Sequence, residues 1–414
     1  MRHRPTTVAR RAALILVITL ASAPLAAQRV RAGWEEPVAG TLLSVVYQER
    51  VTPQQITSEG VPFFEDFPMP DPRYGADVYR VVFWTNDYDG RPVRAAASLY
   101  IPVSPEPIEA PVLAFGSGTT GVGDHCAPSL ENPEIVRFGW YRSNMLAYAG
   151  QGMITIFPDY VGFNDPTIPQ RYFSKTAEGH LMLDSIRAAR HVAASLSTLL
   201  RTRALPARES FTAGYSQGGH AALAAADLKD EYAPEIELVG SIGFGSTNSV
   251  EALFRDAGYY PPNIIYAYSQ MYGSEIIETE RILQERWARN LEIDVMTMCV
   301  NEFQRYYPFN VQGIYTPEFY EALMERRLGE AFPVLKGVLD ENLSGLDGHG
   351  VPTMLVQGLD DPIASTPSQR EFVARLRDTG VDVTYLELEG VSHRYTRPAG
   401  FVQSVEFMRE LLSR

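Results

Sequence analysis

The sequence predicts an α/β fold in which a mostly parallel central sheet is covered by helices on both faces and interrupted by one helical insertion. Three observations predict it. From Pro111 onward, short apolar runs alternate with longer stretches of helical spacing, the pattern of a parallel sheet buried on both faces. Ser210–Ala226 reads as the end of a strand, a one-residue turn and an Ala-rich helix. Between about Ser249 and Leu346 the alternation stops and helical patterns rich in tyrosine, phenylalanine and methionine take over.

The bulk properties fit an ordinary folded chain. The 414 residues suffice for one large domain or two small ones, with 45% hydrophobic and 21% charged residues. A net charge of −14 argues against nucleic acid or an anionic membrane as partner. Arg2, Arg4, Arg10 and Arg11 precede an apolar run from Ala12 to Leu25 that ends in small residues, the three-part pattern of a secretory signal. Cleavage is expected near Ala27, so that residues 1–27 form a signal peptide. Losing those four arginines and no acids takes the net charge from −14 to −18. No other stretch is long and apolar enough to span a bilayer. The two cysteines, Cys126 and Cys299, are an even count in a chain expected to be exported, which favours one disulfide.

In chain order, Gln28–Pro70 reads as irregular because of its five prolines, and is expected to wrap the surface. Val78–Thr85 and Ala95–Ile101 read as two strands joined by an Asp-Gly hairpin, forming one edge of the sheet. Pro102–Pro111 reads as a linker. Pro111–Phe115 is a strand leading into Gly116-Ser117-Gly118-Thr119-Thr120-Gly121, and Met153–Phe157 is another, closed by Pro158-Asp159-Tyr160. Thr176–Leu200 has helical spacing. Leu238–Phe244, Val351–Gln357 and Val383–Leu388 are further strands, with helices over Pro367–Leu376 and Phe401–Leu412. The organisation is therefore a core of residues 28–249 and 346–414, with residues 250–345 inserted as a cap or lid beyond the C-terminal edge of the strands.

Gly214-Tyr215-Ser216-Gln217-Gly218 fits Gly-x-Ser-x-Gly in the strand–turn–helix context that exposes a nucleophilic serine. A serine hydroxyl needs a base, most often histidine. His180 and His191 fall within a helical stretch, and His220 lies on the helix after the serine, where the backbone aims it away. His125 lies in a loop beside Cys126, and His349 precedes a strand at the wrong edge of the sheet. His393 follows the last strand and lies at the correct edge. The histidine needs a carboxylate to fix its tautomer. Asp360 and Asp361 both follow Val351–Gln357 and give the chain order Ser, Asp, His. The oxyanion donors expected are the backbone N–H of Gln217 and one from the Gly-rich loop, at Thr119 or Thr120. That loop lacks the lysine of a phosphate-binding loop, and no His/Cys cluster has metal-ligand spacing, so no metal or organic cofactor is expected.

Taken together, the chain resembles the secretory lipase family of α/β-hydrolases, fungal enzymes with bacterial relatives. The residues that carry the resemblance are the hairpin over 79–102, Gly118-Thr119-Thr120-Gly121 followed by Cys126-Ala127-Pro128-Ser129, and Pro158-Asp159-Tyr160-Val161-Gly162. Gly214-Tyr215-Ser216-Gln217-Gly218-Gly219, Val356-Gln357-Gly358 with its aspartates, and His393 complete them. The resemblance implies the α/β-hydrolase fold and a triad of Ser216, Asp361 and His393, with Asp361 preferred because the family's acid falls three residues after the strand-ending glycine. It also implies a Cys126–Cys299 disulfide into the cap. Ser117 departs from the family, where histidine often stands before the glycine. The expected activity is hydrolysis of a small-molecule or lipid ester by an exported enzyme, periplasmic or extracellular, with transient lipid contact through the cap. The alternatives are an esterase for short or aromatic acyl groups, a peptidase on the same fold, and a non-catalytic binding module.

Overall fold

The computed structural model describes residues 37–414 apart from 133, 136 and 200. The signal-peptide expectation for residues 1–27 lies outside the described residues. Nine strands form one sheet in the order β1-β2-β3-β5-β4-β7-β8-β9-β10. They are β1 (Leu42–Val51), β2 (Gly75–Asn86), β3 (Pro92–Val103), β4 (Ile108–Gly116), β5 (Ile154–Pro158), β7 (Ala204–Tyr215), β8 (Glu237–Phe244), β9 (Thr353–Gly358) and β10 (Val383–Leu388). A short strand, β6 (Val161–Asn164), stands outside it. β1, β2, β3 and β5 pair antiparallel in succession, whereas every pairing from β5 through β10 is parallel.

Alternate residues of the central strands feed two cores, as the two-residue period of a strand requires. Val112 and Ala114 pack with Leu181, Met182 and Ile186 of α3 (Lys175–Thr198). Leu113 and Phe115 face the other way, onto Tyr148 of α2 (Tyr141–Gly150) and Phe401 and Met408 of α15 (Thr396–Leu412). The helix that follows Ser216, α4 (Gln217–Tyr232), lies beside α3, and α14 (Thr366–Asp378) packs Phe372 and Val373 against Ala222 and Leu223 of α4. Among the described residues, no helix is long and apolar enough to cross a membrane.

Three expectations are corrected. Gln28–Pro70 is not irregular where it is described. It holds β1 and α1 (Pro53–Phe64), and β1 rather than the 78–101 hairpin forms the sheet edge. The prolines misled, because Pro53 occupies the first helical turn, where its missing N–H costs nothing. The signal that locates this helix is Thr52-x-x-Gln55, a capping box in which each side chain accepts from the other's backbone N–H, at 3.2 and 2.8 Å. The supposed linker 102–111 is mostly strand, with β3 running to Val103 and β4 starting at Ile108.

Between β8 and β9 the chain is helical, from α5 (Val250–Asp256) to α13 (Pro333–Glu341), and includes α6 (Pro261–Tyr272) and α10 (Val300–Tyr306). These helices bury their own apolar cluster around Phe254, Tyr268, Phe303, Tyr315 and Phe319, which also takes in Val122, Tyr172 and Ile363 of the sheet body. Cys126 and Cys299 form a disulfide, with Cα atoms 5.5 Å apart and 173 positions apart in sequence. By the chain-entropy model a loop of that size contributes roughly 5 kcal/mol. Next to it, Gly121 bridges Cys299 and the Val300 N–H donates to Thr120 O at 2.8 Å, so the insertion is tied directly to the Gly-rich loop.

Candidate active site

β7 ends at Tyr215 and α4 begins at Gln217, so Ser216 alone makes the turn, at φ 54° and ψ −114°. A non-glycine residue in this region costs of order 1–3 kcal/mol and persists only when its surroundings enforce it. The enforcement is a set of close backbone approaches. A Cβ at Gly214 would collide with the Gly218 backbone, one at Gly218 with Gly116 and Ser117, and one at Gly219 with Ser246.

His393 lies in a 3₁₀ turn between β10 and α15. Its Nδ1 and Asp361 Oδ2 are 2.6 Å apart, with both residues buried. Asp361 Oδ1 accepts from the backbone N–H groups of Ile363 and Ala364 at 2.8 and 2.9 Å. The carboxylate is thus fixed through both oxygens, and His393 presents Nε2 as its remaining nitrogen. Asp360 is exposed. Gly245, at φ 50°, lets the chain pass beneath this pair, where a Cβ would sit 3.0 Å from His393 Nδ1 and 3.2 Å from Asp361 Oδ2. The Tyr215 ring lies against the imidazole, with centroids 4.9 Å apart.

Ser216 and His393 line one cavity of about 1110 Å³, together with Thr119, Phe138, Trp140, Tyr259 and Tyr260. The hydroxyl of Ser216 has no hydrogen-bond partner among the described residues. Catalytic hydrogen bonds are often long before substrate binds. The Gly-rich loop is held by three tyrosines, two of which, Tyr141 and Tyr172, sequence reading did not single out. Gly118 N–H donates to Tyr141 Oη at 2.7 Å, Tyr160 Oη donates to Ser117 O at 2.7 Å, and Thr119 Oγ1 and Tyr172 Oη are 2.6 Å apart. Thr119 lines the cavity and Thr120 does not. The Gln217 side chain is fully buried and turned away, its Nε2 donating to Glu178 Oε1 at 2.7 Å. Tyr160 belongs to the Pro-Asp-Tyr motif, which was a legible signal; nothing local marks Tyr141 or Tyr172.

The other histidines are occupied elsewhere. His220 is fully buried, with Nδ1 2.6 Å from Glu178 Oε2 and Nε2 2.7 Å from Asn342 O, so both ring nitrogens are taken. His125 is exposed and its Nε2 lies 3.3 Å from Thr297 O, beside the disulfide. His180 stacks on Tyr232 at 3.8 Å, and burial pushes its pKa down to about 4. Burial also lowers His349, whose Nδ1 accepts from Val351 N–H at 3.0 Å. His191 is exposed. Among the described residues, His125, Cys126 and Cys299 are the only metal-type cluster, and the disulfide has already taken its two thiols.

A parallel sheet whose strand–turn–helix junction carries a strained serine defines an α/β-hydrolase, and solved structures share that fold. The rice cell wall degrading esterase of Xanthomonas oryzae superposes with a TM-score of 0.68 at 19% identity, over 90% of this chain and 98% of its own. Candida antarctica lipase A does so at 0.65 and 18%, over 91% and 82%. The chain belongs to the secretory lipase family, whose model matches residues 143–409. Among named relatives, a probable trichothecene esterase of Stachybotrys chartarum is 23% identical over 74% of this chain, and the match spans only 63% of that protein's length. A secreted triacylglycerol lipase of Malassezia furfur is 24% identical over 70% of this chain and 75% of its own. Lipase A of Arthroderma benhamiae is 24% identical over 92% and 77%.

Proposed function

We propose that this protein is an exported serine hydrolase of carboxylic esters. Ser216 Oγ attacks the ester carbonyl while His393 Nε2 takes its proton. Asp361 holds the imidazole in the required tautomer and stabilises the imidazolium that forms. The oxyanion accepts hydrogen bonds from the backbone N–H groups of Gln217 and Thr119, and the start of α4 adds its positive dipole. His393 then protonates the leaving alcohol. Water, deprotonated by the same nitrogen, attacks the acyl-Ser216 carbonyl and releases the acid. Residues 250–345 serve as a cap over the acyl site, and residues 1–27 as the export signal. The family, with relatives named as a trichothecene esterase and a secreted triacylglycerol lipase, supports the ester class, and the family and the secreted lipase support export.

The observation that carries this reading is the 2.6 Å His393–Asp361 contact on the wall of the cavity that Ser216 also lines. The test is a chain-length series of 4-nitrophenyl esters run beside peptide amides. Ester turnover with no detectable amide cleavage is expected. Amide cleavage at rates comparable to the esters would place the protein among peptidases instead.

A further inference from the structure

Resting on that reading, we infer that the cavity selects esters carrying a second, ionised acid group, and that Arg397 is the residue that recognises it. Charge is the first observation. The chain carries a net −14, yet the walls of this cavity hold four arginines, at 137, 305, 394 and 397, against the glutamates at 65 and 134. Glu65 is already paired with Arg394, at 3.0 Å. The lining itself thus carries more arginines than acids, with Asp361 behind His393 and Glu131, held on the N–H groups of residues 138–141, as the acids just outside it.

The second observation is independent of that count. Arg397 is only 3% exposed, and no carboxylate lies within 4 Å of it among the described residues. A buried cation is normally paired with an acid. The Arg397 guanidinium instead lies over the rings of Phe63, Tyr141 and Tyr215, at 5.2, 4.6 and 4.6 Å. One Nη donates to Gly139 O at 2.7 Å and the other to Asn144 Oδ1 at a long 3.3 Å, while Nε is buried without an acceptor. Three aromatic faces fix the plane of the fork, and Glu131, on the same backbone stretch, is committed to the N–H groups of residues 138–141 rather than to the guanidinium. Tyr215 touches both the guanidinium and His393, so this charge stands one ring away from the reacting centre. Arg305, at the rim on α10, also has no carboxylate within 4 Å among the described residues. A carboxylate-bearing ester in the cavity brings an acid toward this cation, and a neutral lipid does not.

The test compares methyl hydrogen adipate with methyl hexanoate, which match in length and differ in the second acid group. A second pair, 4-acetoxybutanoate and butyl acetate, places the charge on the alcohol side. For at least one pair, kcat/KM for the anionic member is expected to exceed that of the neutral one by about ten-fold or more. The advantage should shrink as ionic strength rises, and fall about ten-fold in Arg397→Met. Arg305→Gln, at an exposed position, should reduce it less and covers the case in which Arg397→Met fails to fold. Turnover of methyl hexanoate reports on ester hydrolysis itself. Calorimetric titration of methyl hydrogen adipate into Ser216→Ala protein reports on anion recognition alone. Saturable, salt-sensitive binding that weakens when Arg397→Met or Arg305→Gln is added is expected there, and it separates a failure of the ester reading from a failure of anion recognition. Equal or better use of the neutral ester in both pairs, or a preference untouched in both arginine variants, would reduce Arg397 to a brace between three rings.

Discussion

Ser216→Ala lowers ester turnover by roughly 10⁴–10⁶-fold while the protein stays folded. The size of the effect follows from the chemistry. Without the oxygen there is no acyl-enzyme, and what survives comes only from substrate positioning and the oxyanion donors. The fold is expected to survive because the hydroxyl makes no hydrogen bond among the described residues, and because alanine meets the same backbone constraint at φ 54°. Turnover is read from initial rates, and folding from circular dichroism and the unfolding midpoint. A variant that keeps turnover within ten-fold of the parent would remove Ser216 from the mechanism.

Asp361→Asn should cost about 10⁴-fold in kcat, whereas Asp360→Asn should change it by less than about three-fold, in line with surface substitutions generally. The two residues are adjacent in sequence and opposite in surroundings. Asparagine at 361 can keep Oδ1 on the N–H groups of Ile363 and Ala364, which leaves its NH₂ facing His393 Nδ1. The imidazole must then accept at Nδ1, so its proton moves to Nε2, the nitrogen that has to act as base. Asp360 is exposed and far less constrained. Equal losses in the two variants, or a loss confined to Asp360→Asn, would reassign the acid.

These residues also show how far the sequence could be read. The parallel strands were legible because each is a short apolar run bounded by turn residues. The serine turn was legible because Gly214 and Gly218 are needed at close backbone approaches and Gly219 against the Ser246 side chain, a demand that no residue with a Cβ meets. The chain order of serine, acid and histidine followed from strand ends lying at one edge. Periodicity left Asp360 and Asp361 equivalent, since a turn can present either one, and only the family's spacing favoured Asp361. α2 went unread because its residues are buried on nearly every side, so it shows no amphipathic period. α1 was hidden by prolines that begin and interrupt a helix rather than prevent one. Arg397 had no sequence signal. Its setting depends on α15, α1, α2 and the end of β7 meeting around one guanidinium, a contact between segments more than 180 residues apart.

The most direct test of the account is to treat the protein with a fluorophosphonate and map the adduct by mass spectrometry of its peptides. One adduct per chain is expected, on the peptide that contains Ser216, abolished in Ser216→Ala and strongly slowed in His393→Ala. An unlabelled protein, or a label carried by any other residue, would contradict a nucleophile at the turn between β7 and α4.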